Sequence, residues 1–197
     1  MVHLMLDLET FSSEDHAAIR SIGSCLFDPK TGDLGDAVEL NGLMPGPGTF
    51  HLGVDLAASK SPGHIDPRTV DWWLKQSGAA RQALVSLQKA PLETALNAWE
   101  CWVHGISIKN YPILLWSNGP LFDERVLRQA FERNAIRFPI HYRESRCFRT
   151  IVGEAKNRGF SWKHHDEPGA TVKHDALNDC FRQAEAVIEA YKFLGLR

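Results

Sequence analysis

The sequence has little of what marks a membrane-spanning or secreted protein. Its longest strongly apolar runs, such as Pro112 to Trp116, fall far short of the ~20 residues that a bilayer-crossing helix needs. The first acid, Asp7, precedes any Lys or Arg, so the N-terminus is not expected to act as a secretory signal. Cysteine is scarce. Cys25, Cys101, Cys147 and Cys180 are widely spaced, form no Cys-x-x-Cys pair and lie mostly in apolar stretches, so buried thiols rather than disulfides are expected, in a soluble protein of the cytoplasm. No Pro/Gly/Ser linker and no internal repeat divides the 197 residues, which therefore read as one domain, 1–197. With 44% hydrophobic and 23% charged residues, 15 Gly and 10 Pro, disorder and collagen-like architecture are excluded. A formal charge of −2 argues against a histone-like protein.

The charge is unevenly spread. Residues 1–60 carry nine acids against three bases, whereas residues 125–158 carry eight Arg and one Lys against Glu132, Glu144 and Glu154. Such a run is either a solvated helix face or a basic flank for a polyanion.

Alternation over residues 2–8 predicts a first strand, with Leu4, Leu6 and Leu8 on one face and His3, Met5, Asp7 and Glu9 on the other. Residues 17–27 and 33–43 flank the turn Asp28-Pro29-Lys30-Thr31-Gly32 and predict a hairpin, so the fold should open with three antiparallel strands. Met44 to Gly63 is expected to be a long surface loop. Asp66-Pro67 predicts an N-cap and a first helical residue, for a helix through Trp72 and Trp73 to Ser77-Gly78. Helices are expected over about 79–88 and 91–104. Tyr111 to Ser117 predicts a buried strand, and Phe122, Val126, Leu127, Ala130 and Phe131 a helix after it. Arg137 to Tyr142 is expected to be a last strand before a helix near 146–158. The stripe Ala176, Leu177, Cys180, Phe181, Ala184, Val187, Ile188, Tyr191 predicts a helix over 175–194. The order implies a three-layer α/β or α+β sandwich around a mixed sheet.

Three short patterns carry chemistry. Asp7 and Glu9 project to one side of the first strand, about 7 Å apart along it; side by side they repel, so they either hold a cation or a proton or lie solvated at a frayed end. In Asn118-Gly119-Pro120-Leu121-Phe122-Asp123, Asp123 enters the first helical turn beyond a strand, where open α/β sheets gather ligands and where the helix dipole favours any acid. In His174-Asp175-Ala176-Leu177-Asn178-Asp179, nine His and twelve Asp would give this His-to-Asp spacing about 0.5 times by chance, so the spacing alone proves little.

Taken jointly and in order, Asp-x-Glu, Asn-Gly-x-x-Phe-Asp-x-x-x-Leu and His-x-Ala-x-x-Asp resemble the three motifs of the DEDDh group of 3'-5' exonucleases. The resemblance spans residues 2–195. The Thr69-Val70-Asp71-Trp72-Trp73-Leu74-Lys75-Gln76 segment is similar to a narrower branch, the phage and mycobacterial 3'-5' exoribonuclease-like proteins. It implies a ribonuclease H-like fold, a mixed sheet with helices on both faces. It also implies that Asp7, Glu9, Asp123 and Asp179 bind two Mg²⁺ or Mn²⁺ ions and that His174 is the general base. Thr10-Phe11-Ser12 departs from the Thr-Thr-Gly of proofreading domains; Thr10 is expected at the terminal sugar, with Phe11 on the base or in the core. Asn118 and Arg149 are further expected substrate contacts, and Arg125, Arg128, Arg143 and Arg146 a phosphate-holding flank. Trp72 and Trp73 stack on bases or divide between core and rim, the division being preferred for at least one of them. Cys101 and His104 do not read as a zinc pair, for want of a second pair of ligands.

The expected substrate is the 3' end of single-stranded RNA, with DNA the rival polymer. The other readings are a binding module on the same fold that has lost catalysis, and a two-ion phosphatase acting on a small substrate. The sequence leaves any oligomeric partner open, a homodimer included.

Overall fold

A computed structural model describes residues 1–39, 47–106, 112–162 and 174–196, the side chain of Leu84 excepted. In chain order the elements are β1 (Val2–Thr10), β2 (Ile19–Phe27), β3 (Thr49–Val54), α1 (Pro67–Leu74), α2 (Gly78–Ser86), β4 (Lys89–Ala90), α3 (Leu92–Ile106), β5 (Ile113–Ser117), α4 (Asp123–Arg133), β6 (Ser145–Cys147), α5 (Phe148–Asn157) and α6 (Ala176–Leu194).

The sheet runs β4-β3-β2-β1-β5-β6. β1 pairs antiparallel with β2 and β2 with β3, while β5 lies parallel to β1 and β6 parallel to β5. This is the expected mixed sheet. Strand alternation sorts the core into two layers. Leu4, Leu6 and Leu8 pack with Leu96 and Trp99 of α3 and Val126, Leu127 and Phe131 of α4. Met5, Cys25, Phe27 and Trp116 pack on the other face against Cys180, Ala184, Val187 and Ile188 of α6. α5 closes that side, meeting α6 through Val152, Ala155, Ala186 and Ala190.

Gly23 decides where α6 begins. It pairs with Asp7 in the β1–β2 ladder, and a Cβ on it would stand 2.3 Å from the carbonyl carbon of Ala176. Only a hydrogen at that position lets the backbone of the first α6 residue rest on the sheet. The N-terminus of α6 is thereby set over Asp7.

Three expectations need correction. The turn at 28–33 does reverse the chain, with the Asp28 amide donating to the Asp33 carbonyl and a bridge from Phe27 to Leu34. Among the described residues 33–39 no strand follows it, because Gly35 takes a φ of 56° at the head of a tight helical turn, Gly35–Ala37. The third strand lies instead inside the segment read as a surface loop, where Phe50, Leu52 and Val54 alternate with Thr49, His51 and Gly53. Residues 40–43 of the expected hairpin, 44–46 of the loop, and Tyr111 lie outside the described residues. Second, residues 137–142 form no strand: the sheet gains Ser145–Cys147, and α5 starts at Phe148. Third, the thiols are not mostly buried. All four cysteines are unpaired; Cys25 and Cys180 are buried, Cys147 is half-buried and Cys101 is exposed. Among the described residues, no helix is long and apolar enough to cross a membrane.

Candidate active site

β1 delivers two carboxylates toward α6. Asp7, on the Met5 side of the strand, accepts a 2.8 Å hydrogen bond from Nε2 of Gln183, which lies one turn beyond Asp179. Glu9 ends the regular part of β1: the register with β2 shifts between Glu9 and Thr10, a bulge that re-aims the chain beside the site. Asp123 opens α4 after the tight turn at Gly119, whose φ is 119°, and its Oδ1 accepts from the Leu8 amide at 3.3 Å. Asp175 caps α6 by accepting from the Asn178 amide at 3.0 Å, which fixes the turn that carries Asp179.

Four acids from β1, α4 and α6 thus converge. Burial, reinforced by Asp123, Glu9 and Asp179, holds the Asp7 carboxyl well above the usual range for an aspartate. Burial first, then Asp179, Asp175 and Asp123, pushes Glu9 up to about 8. Burial lifts Asp123 to about 6 against the opposing bond from the Leu8 amide. Asp179 is raised mainly by burial, although Arg182 lies 2.9 Å from its Oδ1.

Carboxylates that repel one another in a buried pocket suit a cation between them, and an all-oxygen set suits a hard ion of the Mg²⁺ or Mn²⁺ class. A second observation agrees: Oε1 of Gln183, beside Asp7, is buried without a partner among the described residues. The residues present fit the divalent ions that this donor set implies.

His174 stands just before the cap of α6, in the left-handed region at φ 63°. Its ring nitrogen and carboxylate oxygens of Glu9 and Asp179 all lie within 4.8 Å of one another. The five residues expected to act together are therefore brought together.

Beside Glu9 opens a cleft of about 580 Å³ lined by Thr10, Ser12, Ser13, Arg68, Thr69, Trp72, Trp73 and Phe122, among others. Thr10, expected at the terminal sugar, lines this cleft. Phe11 is not in this lining; its half-buried side chain leaves the backbone to bridge Ala18 and Asp66. Arg149 donates from Nε to Asn118 Oδ1 at 3.0 Å and its charge opposes the rise of the Asp123 carboxyl, so this expected pair lies near Asp123 and outside the cleft lining.

The basic stretch is only partly a free surface. Arg128 pairs with buried Glu124 at 2.7 Å and lies over the Phe138 ring, Arg133 binds the carbonyls of Ser61, Pro62 and Ala17, and Arg125 pairs with Asp15. The expectation that Arg128 belongs to a phosphate-holding flank is corrected, because its charge is spent inside the fold. Gln183 was missed by the sequence reading; its one signal is the four-residue offset from Asp179, which helices present by the dozen.

Residues 2–191 match the family model described as the 3'-5' exoribonuclease Rv2179c-like domain. No curated protein matches the chain. Among solved structures it is similar to cell-death related nuclease 4, at TM-score 0.62 and 13% identity over 97% of this chain and 64% of the other. It is also similar to the nuclease domain of 3'hExo, a DEDDh family member solved with rAMP, at TM-score 0.58 and 11% identity over 97% and 92%. E. coli Exonuclease I, solved with a dA16 oligonucleotide, gives 0.55 and 16% over 100% and 41%. The chain thus spans less than two thirds of the nuclease 4 and Exonuclease I chains. At these identities the likeness establishes the ribonuclease H-like fold of DEDDh exonucleases.

Proposed function

Because the chain belongs to the Rv2179c-like 3'-5' exoribonuclease domain family, we propose that it is a metal-dependent 3'-5' exonuclease that hydrolyses phosphodiester bonds at the 3' end of single-stranded RNA. The observation that carries this reading is the convergence of Asp7, Glu9, Asp123, Asp179 and His174 at one edge of a nucleotide-sized cleft. RNA is preferred over DNA on the family's description, since the similar structures hold a ribonucleotide in one case and a DNA oligonucleotide in another.

Asp7, Glu9, Asp123 and Asp179 would hold two Mg²⁺ or Mn²⁺ ions. Bound there, such ions supply stabilisation of the charge that develops on the scissile phosphate and an acidified water. His174, reaching Glu9 and Asp179, takes the proton of the attacking water at a ring nitrogen. Gln183 orients Asp7, and Asp175 holds the turn that presents Asp179. Thr10, Ser13 and Thr69 line the space for the terminal sugar, while Arg149 and Asn118 meet the adjoining phosphate. Unpaired thiols are compatible with work in the reducing cytoplasm.

Matched 5'-labelled RNA and DNA oligonucleotides, incubated with Mg²⁺ or Mn²⁺ and resolved on a gel, test this. A ladder shortening from the 3' end of RNA is expected, with none in chelator. Faster digestion of DNA overturns the polymer assignment; binding without cleavage in either ion overturns the activity.

A further inference from the structure

The tandem Trp72 and Trp73 of α1 belong to none of the roles described so far. Their helix is pinned at its start: Asp66 caps it by accepting from the Arg68 amide at 2.9 Å, Pro67 takes the first position, and the Asp66 amide donates to the Phe11 carbonyl at 2.8 Å. Trp73 is 5% exposed, and its indole N–H donates to the Thr10 carbonyl at 3.0 Å, one residue beyond Glu9. Trp72, about 100° further round the helix, is 43% exposed and lies on the cleft.

The Trp72 ring is not open on both sides. Its centre is 5.1 Å from that of Trp73 and 4.9 Å from that of His174, at interplanar angles of 78° and 81°. The Trp73 ring is 6.0 Å from His174. These are edge-to-face contacts of the kind that fix relative orientation. His174 needs such a support. It holds a left-handed backbone conformation without being glycine, and unfavourable geometry of this kind persists where the surroundings over-determine it.

We infer that Trp72 is a positioning residue for the His174 imidazole, and that Trp73 references it to the strand end that carries Glu9. This rests on the proposed role of His174 as the base. The path is short: Thr10 carbonyl, Trp73 indole, Trp72 ring, imidazole. Through it the proton acceptor and Glu9 take their places from the same two residues of β1.

A kinetic double-mutant cycle tests the inference. Trp72→Ala is expected to lower kcat about 10- to 100-fold, since small misplacement of a reacting group is costly, with KM within about 3-fold of the parent. Trp72→Phe should restore most of the loss. Trp72→Leu, which keeps apolar bulk without a ring plane, should not. In a His174→Asn background, adding Trp72→Ala should cost less than about 2-fold further, because Trp72 acts only through the imidazole. Thermal melting of each variant checks the fold, and the Phe and Leu variants carry the comparison if the Ala variant melts early. A rise in KM with kcat intact would make Trp72 a base-stacking residue and overturn the inference. So would losses that multiply in the double variant. If His174→Asn itself turns over at the parental rate, the base assignment fails and this inference with it; multiplicative losses alone sink only the role of Trp72.

Discussion

Gln183 of α6 donates its side-chain amide to Asp7 of β1 at 2.8 Å, across 176 positions of sequence. Gln183 is 8% exposed, and the bond occupies one carboxylate oxygen of Asp7 while leaving the other for a ligand. A neutral amide is the donor that fits: it orders Asp7 without adding a positive charge that would compete with a cation.

Gln183→Ala should therefore raise the Mg²⁺ or Mn²⁺ concentration for half-saturation about 10- to 100-fold, the usual cost of removing a partner that orients a metal ligand. Titration calorimetry on the substrate-free protein reads this directly. Unchanged affinity would reduce the Asp7–Gln183 bond to packing.

His174→Ala should lower turnover about 10²- to 10⁴-fold, the range for loss of a general base, with cation binding and melting temperature close to the parent. Single-turnover digestion of labelled oligonucleotide measures the first, calorimetry and melting the others. Full activity in a folded variant removes His174 from the reaction.

Gly23→Ala should abolish activity through α6 rather than through the sheet. The added methyl meets the Ala176 and Leu177 backbone at 2.3 to 2.5 Å, so the first turn of α6 must move off β2. Displacing Asp179 and His174 from Asp7 and Glu9 by even ~1 Å would cost about 10²-fold or more. Activity and cation affinity should fall together. A variant that binds ions and cleaves normally would show that α6 has another seat.

Without divalent ions the protein should lose stability as pH rises. Glu9 titrates near 8 in the fold against an ordinary 4.5, and Asp123 near 6 against 3.8. A carboxyl whose folded value is raised binds a proton that the unfolded chain releases. Its contribution is therefore whole below the unfolded value and is lost as pH climbs through the folded one, here from about 4 to about 8. In chelator, the melting temperature should fall from pH 5 to pH 8, and Glu9→Gln should flatten the slope. Added Mg²⁺ or Mn²⁺ should raise it more at pH 8 than at pH 5, since ions bind the deprotonated site. A rising or flat profile in the parent contradicts the buried-acid description.

What could be read ahead of the coordinates divides along a physical line. α1 and α6 were legible because their signals are local: a cap and proline at Asp66-Pro67, and an apolar stripe from Ala176 to Tyr191. The division of Trp72 and Trp73 between rim and core was also foreseen, since adjacent helical residues face different ways. β3 was missed although Phe50, Leu52 and Val54 alternate, because glycine and proline on both sides masked a six-residue strand. β6 was missed because three half-buried residues, Ser145, Arg146 and Cys147, carry almost no period. The Arg-rich stretch misled because composition records charge but not the partner that absorbs it, as Glu124 does for Arg128.

The sequence by itself determined the identity and order of the acids and of the histidine, and the local elements that carry most of them, since caps, periods and motifs are properties of neighbours along the chain. The tertiary structure alone decided that Asp7 and Asp179 share one pocket, that Gln183 orders it and that Trp72 faces His174. Those relations depend on how β1 and α6 cross, and the crossing is set by the absence of a side chain at Gly23, a long-range steric fact that no local pattern encodes.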